Sequence, residues 1–459
     1  MRSILILLGV LVTHLAAAGS QVHEKVLDNG LKVLMKPDHR APIVTSQVWY
    51  KVGSSYEHGG VSGISHVLEH MMFGMTFKGS KRLAPGEFSH IIAENGGDEN
   101  AFTGRDYTAY YQILAKDRLE VAFELEAERM HNLTLPEEKF AKELEVVKEE
   151  RRLRTEDAPE SLTFEQFNAT AYEASPYRIP IIGWADDLEH LQVGDLREWY
   201  RRWYVPNNAT LVVVGDLEPE RVFRLAKKHF GPLKPRQVLP PKPRGEPAQR
   251  GEKRIRVKVP AKEPYLILGY KATALGHGGE PWEPYALEML ASVFDGGSSA
   301  RFSRELVRGT RVAASAGADY GLFTRLRGMF LIDGTPAKGR TLKALERAFR
   351  AQVERVQREP VTASELERIR TQVFAHKIYK QDSVFYKAMR LGLLESVGLG
   401  WPLLEQYVEH LRRVTPEQIR AVAHKYLVKD RLTVALLEPQ PMDGKQPRSN
   451  TVGGHGYAH

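Results

Sequence analysis

Cysteine is absent from the 459-residue chain. No disulfide can staple the fold, which suits an oxidising compartment managed without disulfides but does not by itself assign one. Long apolar runs are missing too. The run from Ile4 to Val12 falls well short of the roughly 20 residues a membrane-spanning helix needs, and no later segment is long enough either. A one-sided charge is likewise lacking, because 65 Lys and Arg face 57 Asp and Glu and the formal net charge is +8. A nucleic-acid binder would gather its excess into a patch, whereas here only 234–258 is locally dense, so the charge reads as a solvated surface.

What is present reads as a folded, exported protein. The N-terminus MRSILILLGVLVTHLAAAG combines a basic start at Arg2, a short apolar stretch and small residues Ala16 to Ala18, the pattern of a cleavable signal peptide over residues 1–18. Periplasmic or secreted localisation follows, with no stable membrane span after cleavage. With 42% apolar residues, the remainder has enough material for two domains of about 200 residues each.

A Pro-rich, basic stretch separates them. Six prolines fall between Pro232 and Pro247, so residues 232–252 read as a stiff linker between an N-terminal domain at 19–231 and a C-terminal domain at 253–440. The segment 441–459, which ends in TVGGHGYAH, reads as a flexible tail. The two sides resemble each other. HLQVGDLREWYRRWYVPNNATLVVVGDLEP (190–219) and HLRRVTPEQIRAVAHKYLVKDRLTVALLEP (410–439) share His-Leu, a helix capped by Asp195 or Thr415 with a Tyr near its end, a β-rich strand and Leu-Glu-Pro. Matched order of this kind points to internal duplication of one α+β domain.

Within the first half, VLDNGLKVLMK reads as a hairpin around Asn29-Gly30, and VTSQVWYKVG as the next strand. Gly59, Gly60 and Gly63 then precede a helix carrying HVLEHMMF. After it, DENAFTGRDYTAYYQILA reads as two strands joined at Gly104-Arg105. DRLEVAFELEAERMHN reads as a helix capped by Asp117, and PEEKFAKELEVVKEERRLR as another, opened by Thr134 and Pro136.

On a helix, His66 and His70 lie at i and i+4 and project from one face, with Glu69 beside them. Two imidazoles so spaced can share a tetrahedral zinc ion. A catalytic zinc takes three protein ligands and leaves one position for a water, from which a carboxylate that is not a ligand can accept the proton. Glu69 suits that part. The neighbours Val67, Leu68, Met71, Met72 and Phe73 are apolar, so unpaired ionisable groups there would be costly. The later helix offers Glu143, Glu145, Glu149 and Glu150 as a third ligand. Glu143 and Glu150 share one stripe, but spacing alone does not choose among the four.

HVLEHMMF, NAFTGRDYTAYY and ELEVVKEE in this order resemble the pitrilysin family of inverted-motif zinc peptidases. The resemblance covers nearly the whole mature chain, and it implies two α+β domains, each a mainly antiparallel sheet packed with helices, closing as a clamshell around an internal chamber. It implies one Zn2+ per chain, held by His66, His70 and Glu150, with Glu69 as general base and Glu143 supporting from behind. Glu149 remains a rival to Glu150, because extra residues in MMFGMTFKGSKRLAPGE lengthen the gap after His70. Asn100 and Ala101 match the family's edge strand, to which a substrate backbone adds as a further strand, so peptides or unfolded polypeptides are the expected substrates.

The second half departs from the pattern. Where the family has an Arg and, four residues on, a Tyr aimed at the substrate carbonyl, this chain has Thr310 and Ala314. Arg308, Arg311 and Tyr320 are the nearby substitutes, none well placed by spacing. A homologous partner subunit supplying Arg and Tyr is the expected remedy, with a homodimer as the other arrangement and a non-catalytic binding or assembly subunit as the alternative function.

Overall fold

The β-branched and aromatic runs form two sheets in the computed structural model, which describes residues 21–73, 86–380 and 382–442. The signal peptide at 1–18, most of the extra loop after Phe73 and the tail from 443 lie outside the described residues. The first sheet contains β1 (His23–Val26), β2 (Lys32–Pro37), β3 (Ile43–Tyr50), β4 (Asp98–Thr103), β5 (Thr108–Ala115) and β6 (Ala209–Gly215). Their order is β1-β2-β6-β3-β5-β4, with β4 at the edge. Asn29-Gly30 lies in the turn between β1 and β2, where Gly30 takes a φ of 86° that a side chain would resist.

The second sheet contains β7 (Lys253–Pro260), β8 (Tyr265–Lys271), β9 (Ala313–Tyr320), β10 (Met329–Pro336) and β11 (Leu432–Gln440), ordered β7-β11-β8-β10-β9. Apart from β1, the two sheets follow one path. In each, one parallel pair (β2 with β6, β7 with β11) sits beside antiparallel neighbours, and β9 takes the edge place of β4. Topology thus repeats what the two Leu-Glu-Pro segments suggested, and the fold is a duplicated α+β clamshell.

Helices cover the sheets, and two of them are exchanged. One face of the first sheet packs on α1 (Ile64–Met71), α2 (Glu87–Glu94), α3 (Leu119–His131) and α4 (Glu137–Arg151), which share a core with Val33, Val48, Tyr110 and Val213. Its other face is covered by Val384–Ser396, a helix of the second half, where Trp49 meets Gly392. In return α5 (Pro159–Ala171) of the first half lies on the second sheet, with Phe167 over Gly269. Trp49, Val212 and Val214 therefore belong to the second half's core. Burial of apolar area across this exchange, worth about 25 cal/mol per Å2, helps hold the halves together.

Between the halves, residues 235–250 have no regular secondary structure but are strapped down. Asn207 Nδ2 donates to the Arg236 carbonyl at 2.7 Å, and Glu246 accepts from the backbone N–H groups of Glu173, Ala174 and Ser175 at 2.8 to 2.9 Å. Two expectations about helix starts change. Asp117 lies in a short turn, Lys116–Arg118, and does not cap α3, which begins behind Arg118 with no side-chain cap. Asp195 is the fourth residue of a capping box and accepts from Gln192 N, while Thr415 caps its helix as expected.

Candidate metal centre

Glycine geometry fixes how α1 enters the site. Gly63 has φ 85° and lies so close to the 182–183 backbone that a Cβ would sit 2.6 Å from the Ile182 carbonyl oxygen. No other residue type fits there without a shift. The exposed N–H groups at this helix start are taken by buried or half-buried carboxylates. Glu57 accepts from Gly63 N (2.7 Å) and Ser65 N (2.9 Å), and Asp187 from Gly60 N and Ser62 N (both 3.1 Å). Gly59, by contrast, meets nothing within 4 Å.

α4 is tied to the same stretch. Arg151, 5% exposed, donates to the Gly183 carbonyl at 2.8 Å and to both oxygens of Glu165 at 2.7 and 2.9 Å. Residues 182–183 therefore set the register of both helices that face the site. Glu165 belongs to α5, so the same ion pair also links α4 to the helix that covers the second sheet.

With α1 and α4 so placed, Glu150 Oε2 lies 3.2 Å from His70 Nε2 and 3.8 Å from His66 Nε2. Ligand atoms of His66, His70 and Glu150 all fall within 4.8 Å of one another, the one such group of three among the described residues. Zinc bonds of about 2.0–2.2 Å in a tetrahedron require ligand atoms roughly 3.3–3.6 Å apart, so the donor set suits that ion, with the Glu150–His70 pair close to that spacing and the Glu150–His66 pair, at 3.8 Å, slightly wider. Glu143 Oε2 stands 3.7 Å from His70 Nδ1, the ring's other nitrogen. Glu145 and Glu149 are turned away. Glu145 pairs with Lys148 at 3.0 Å, and Glu149 is forked on Arg152 at 2.6 and 2.9 Å, more than half exposed.

Glu69 stays out of the triad. Its Oε2 accepts a hydrogen bond from Thr103 Oγ1 of β4, which ties the carboxylate to the edge strand. Burial is the main cause of its raised pKa, at about 7, which leaves the group able to take and return a proton near neutrality. Burial also lowers His66, to about 4, keeping that imidazole neutral with a lone pair to give. Burial would lower His70 as well, but the hydrogen bond and charge of Glu150, with Glu69 and Glu143, raise it overall. The reverse balance holds Glu150 below its ordinary value, despite burial, through His70, His66 and Arg154. An ionised Glu150 is the form a metal requires.

Asn100 and Ala101 sit on the free edge of the first sheet, opposite Tyr111 and Tyr110. Asn100 is exposed, and its Oδ1 accepts from Ala101 N at 2.8 Å. In the second half, the helix Glu283–Asp295 occupies the place of α1 but carries no histidine and is almost wholly buried. Tyr320 is no substitute for the missing tyrosine. It points into the second core, 6% exposed, and donates to the Thr273 carbonyl at 2.6 Å. Arg308 is spent on the carbonyls of Ser298 and Ser303, Thr310 on that of Glu305, and Ala314 is exposed.

Three contributors escaped the sequence: Thr103, Gly183 and Arg154, whose Nη1 lies 2.7 Å from Glu150 Oε1. Period-two alternation from Ala101 puts Thr103 on the side of α1, a signal that needed only the sheet order to be useful. Gly183 gave none.

A His-His-carboxylate triad with an unligated glutamate beside it, on a duplicated clamshell, defines a peptidase scaffold of the metal-dependent class. Comparison with known proteins agrees. Residues 32–184 match the family model "Insulinase (Peptidase family M16)" and residues 190–373 match "Peptidase M16 inactive domain". The zinc protease PqqE of Helicobacter pylori is 34% identical over 359 residues, 76% of this chain and 78% of that protein. The uncharacterized zinc protease YmxG of Bacillus subtilis is 26% identical over 90% of this chain and 97% of its own length. A crystal structure of a protease from Helicobacter pylori superposes with a TM-score of 0.86 at 31% identity, covering 92% of this chain and all of that one. The chain belongs to peptidase family M16, the insulinase or pitrilysin family.

Proposed function

We propose that the protein is an exported zinc metalloendopeptidase that cleaves peptides or unfolded polypeptides. One observation carries the reading: His66, His70 and Glu150 offer three ligand atoms within 4.8 Å while Glu69 stays beside them, unligated and bonded to Thr103. Zinc, when bound, supplies a Lewis acid and brings the pKa of its water toward about 7. Glu69 would be the group that accepts a proton from the attacking water and hands it to the leaving amine. Glu143 orients His70 through its Nδ1, and the edge of β4 at Asn100 and Ala101 holds the substrate backbone as an added strand. Export rests on residues 1–18. Among the described residues no helix is long and apolar enough to cross a membrane.

The chain acts as the metal-bearing subunit of a heterodimer. Support comes from Thr310 and Ala314, which stand where the resemblance leads one to expect an Arg and a Tyr; losing one oxyanion donor typically costs about 100- to 1,000-fold in turnover. A homodimer would not repair this, because each copy has the same gap. The same gap favours the second reading, a non-catalytic binding or assembly subunit. A quenched fluorescent peptide assay, with and without chelator and with Glu69→Gln, separates the two. Chelator-sensitive cleavage that Glu69→Gln abolishes supports the peptidase. No cleavage, even with a homologous partner encoded nearby, supports the scaffold. Full activity of the isolated chain sinks the pairing.

A further inference from the structure

Arginines 151, 152 and 154 follow Glu150 directly, and each meets different acids. Arg151 is buried on Glu165. Arg152 spans Glu149 and Asp157 at the surface. Arg154 lies on Glu150 itself, Nη1 to Oε1 at 2.7 Å, with its own side chain 73% exposed and that of Glu150 17% exposed. The backbone arranges this division. α4 ends at Arg151, and Arg152–Glu156 continues as one wider turn, closed by Asp157 N to the Arg152 carbonyl at 2.7 Å. Such widened turns inside helices recur at functional sites, and Arg154 keeps the ordinary i, i+4 spacing to Glu150 across the start of this one.

The two oxygens of Glu150 therefore have separate partners. Oε2 faces both imidazoles and Oε1 faces the guanidinium. We propose that Arg154 is a positioning residue for the third metal ligand: by occupying Oε1 it leaves Glu150 a single oxygen for zinc and sets the carboxylate's orientation before the ion arrives. The inference rests on the zinc reading of the site. A carboxylate free at both oxygens can turn to chelate with both and fill the coordination position that water needs. A charge-assisted N–H···O bond to one oxygen opposes that turn. Arg154 also brings a permanent positive charge to the outer oxygen of Glu150. Since most of the side chain is in solvent, removing it opens no cavity, and its effect on the ion is separable from folding.

The test uses the full mature chain as wild type, Arg154→Ala and Arg154→Lys. Zinc affinity is read by competition with a chromophoric chelator, ligand geometry by zinc K-edge absorption, and folding by thermal melts of the metal-free proteins. Arg154→Ala is expected to bind zinc about 10- to 100-fold more weakly, with a second carboxylate oxygen entering the zinc shell and an unchanged metal-free melt. Arg154→Lys recovers part of the affinity, because one ammonium can still reach Oε1. Wild-type zinc affinity and an unaltered absorption spectrum in Arg154→Ala would overturn the proposal while leaving the zinc reading intact. A wild-type chain that binds no zinc would overturn both.

Discussion

Trp49 of β3 and Gly392 of the helix Val384–Ser396 approach so closely that a Cβ on residue 392 would lie 2.1 Å from the indole Nε1. The indole is fully buried, and its Nε1 donates to Gln47 Oε1 at 3.0 Å, so it has no room to yield. Phe167 and Gly269 repeat the contact on the second sheet with ring and glycine interchanged, a Cβ there meeting the ring at 2.2 Å. Gly392→Ala should therefore push the exchanged helix off the first sheet and cost about 1–3 kcal/mol. Thermal melts check this, and an unchanged midpoint would mean that the interface accommodates a methyl group.

Among the described residues, Thr103 donates the side-chain hydrogen bond that holds Glu69. Thr103→Val keeps the shape of the side chain and removes the donor. Turnover should fall about tenfold or more, the value of one hydrogen bond to a charged group, while zinc content stays full. Thr103→Ser should restore most of it. Equal turnover in the valine and serine variants would show that the hydroxyl does not hold the base.

Glu150 and Glu149 are neighbours with opposite surroundings, one beside two imidazoles and the other on Arg152 at the surface. Metal analysis of purified variants should find zinc lost from Glu150→Gln and retained in Glu149→Gln. Glu143→Gln should keep the ion but hold it about 10- to 100-fold more weakly, the usual effect of losing a group behind a histidine ligand. Zinc lost from Glu149→Gln and kept in Glu150→Gln would reverse the assignment.

Asp38 binds the halves electrostatically. Arg40 donates to both of its oxygens at 2.8 Å, and Lys387 of the exchanged helix reaches Oδ2 at 2.6 Å. Arg40 first, then Lys387 against the opposing effect of burial, holds the Asp38 carboxyl well below the usual carboxylate range. A depressed carboxyl contributes stability that is complete above the unfolded pKa, about 3.9, and is lost as pH falls from there through the folded value. Asp38→Asn should accordingly melt lower than wild type at pH 7, and the gap should shrink below about pH 4. A gap that stays constant into acid would remove Asp38 from the pH response.

Much of the site was legible because its signals are local. The i, i+4 histidines, the adjacent glutamate and the apolar residues between them define one helix face without any tertiary information. Glu150 was legible only by resemblance, since four glutamates on one helix are chemically alike until another helix faces one of them. The repeated helix-to-strand units announced the duplication for the same local reason. The exchange of α5 and Val384–Ser396 was hidden, because an amphipathic pattern states that a face is apolar and not which sheet it covers. Tyr320 was offered to the site and belongs to the core, for the sequence does not say which way a residue at a sheet edge points.

The exchanged helices bear on what counts as a unit of this molecule. A protease nick in the strapped segment 235–250 would cut the chain without parting it, since each fragment would still carry the cover of the other's sheet. Expressed singly, either fragment would show solvent a bare apolar wall and tend to aggregate; expressed together, they would find each other. The metal-bearing half is thus not a self-sufficient unit, because the cover of one face of its sheet is carried by the other half.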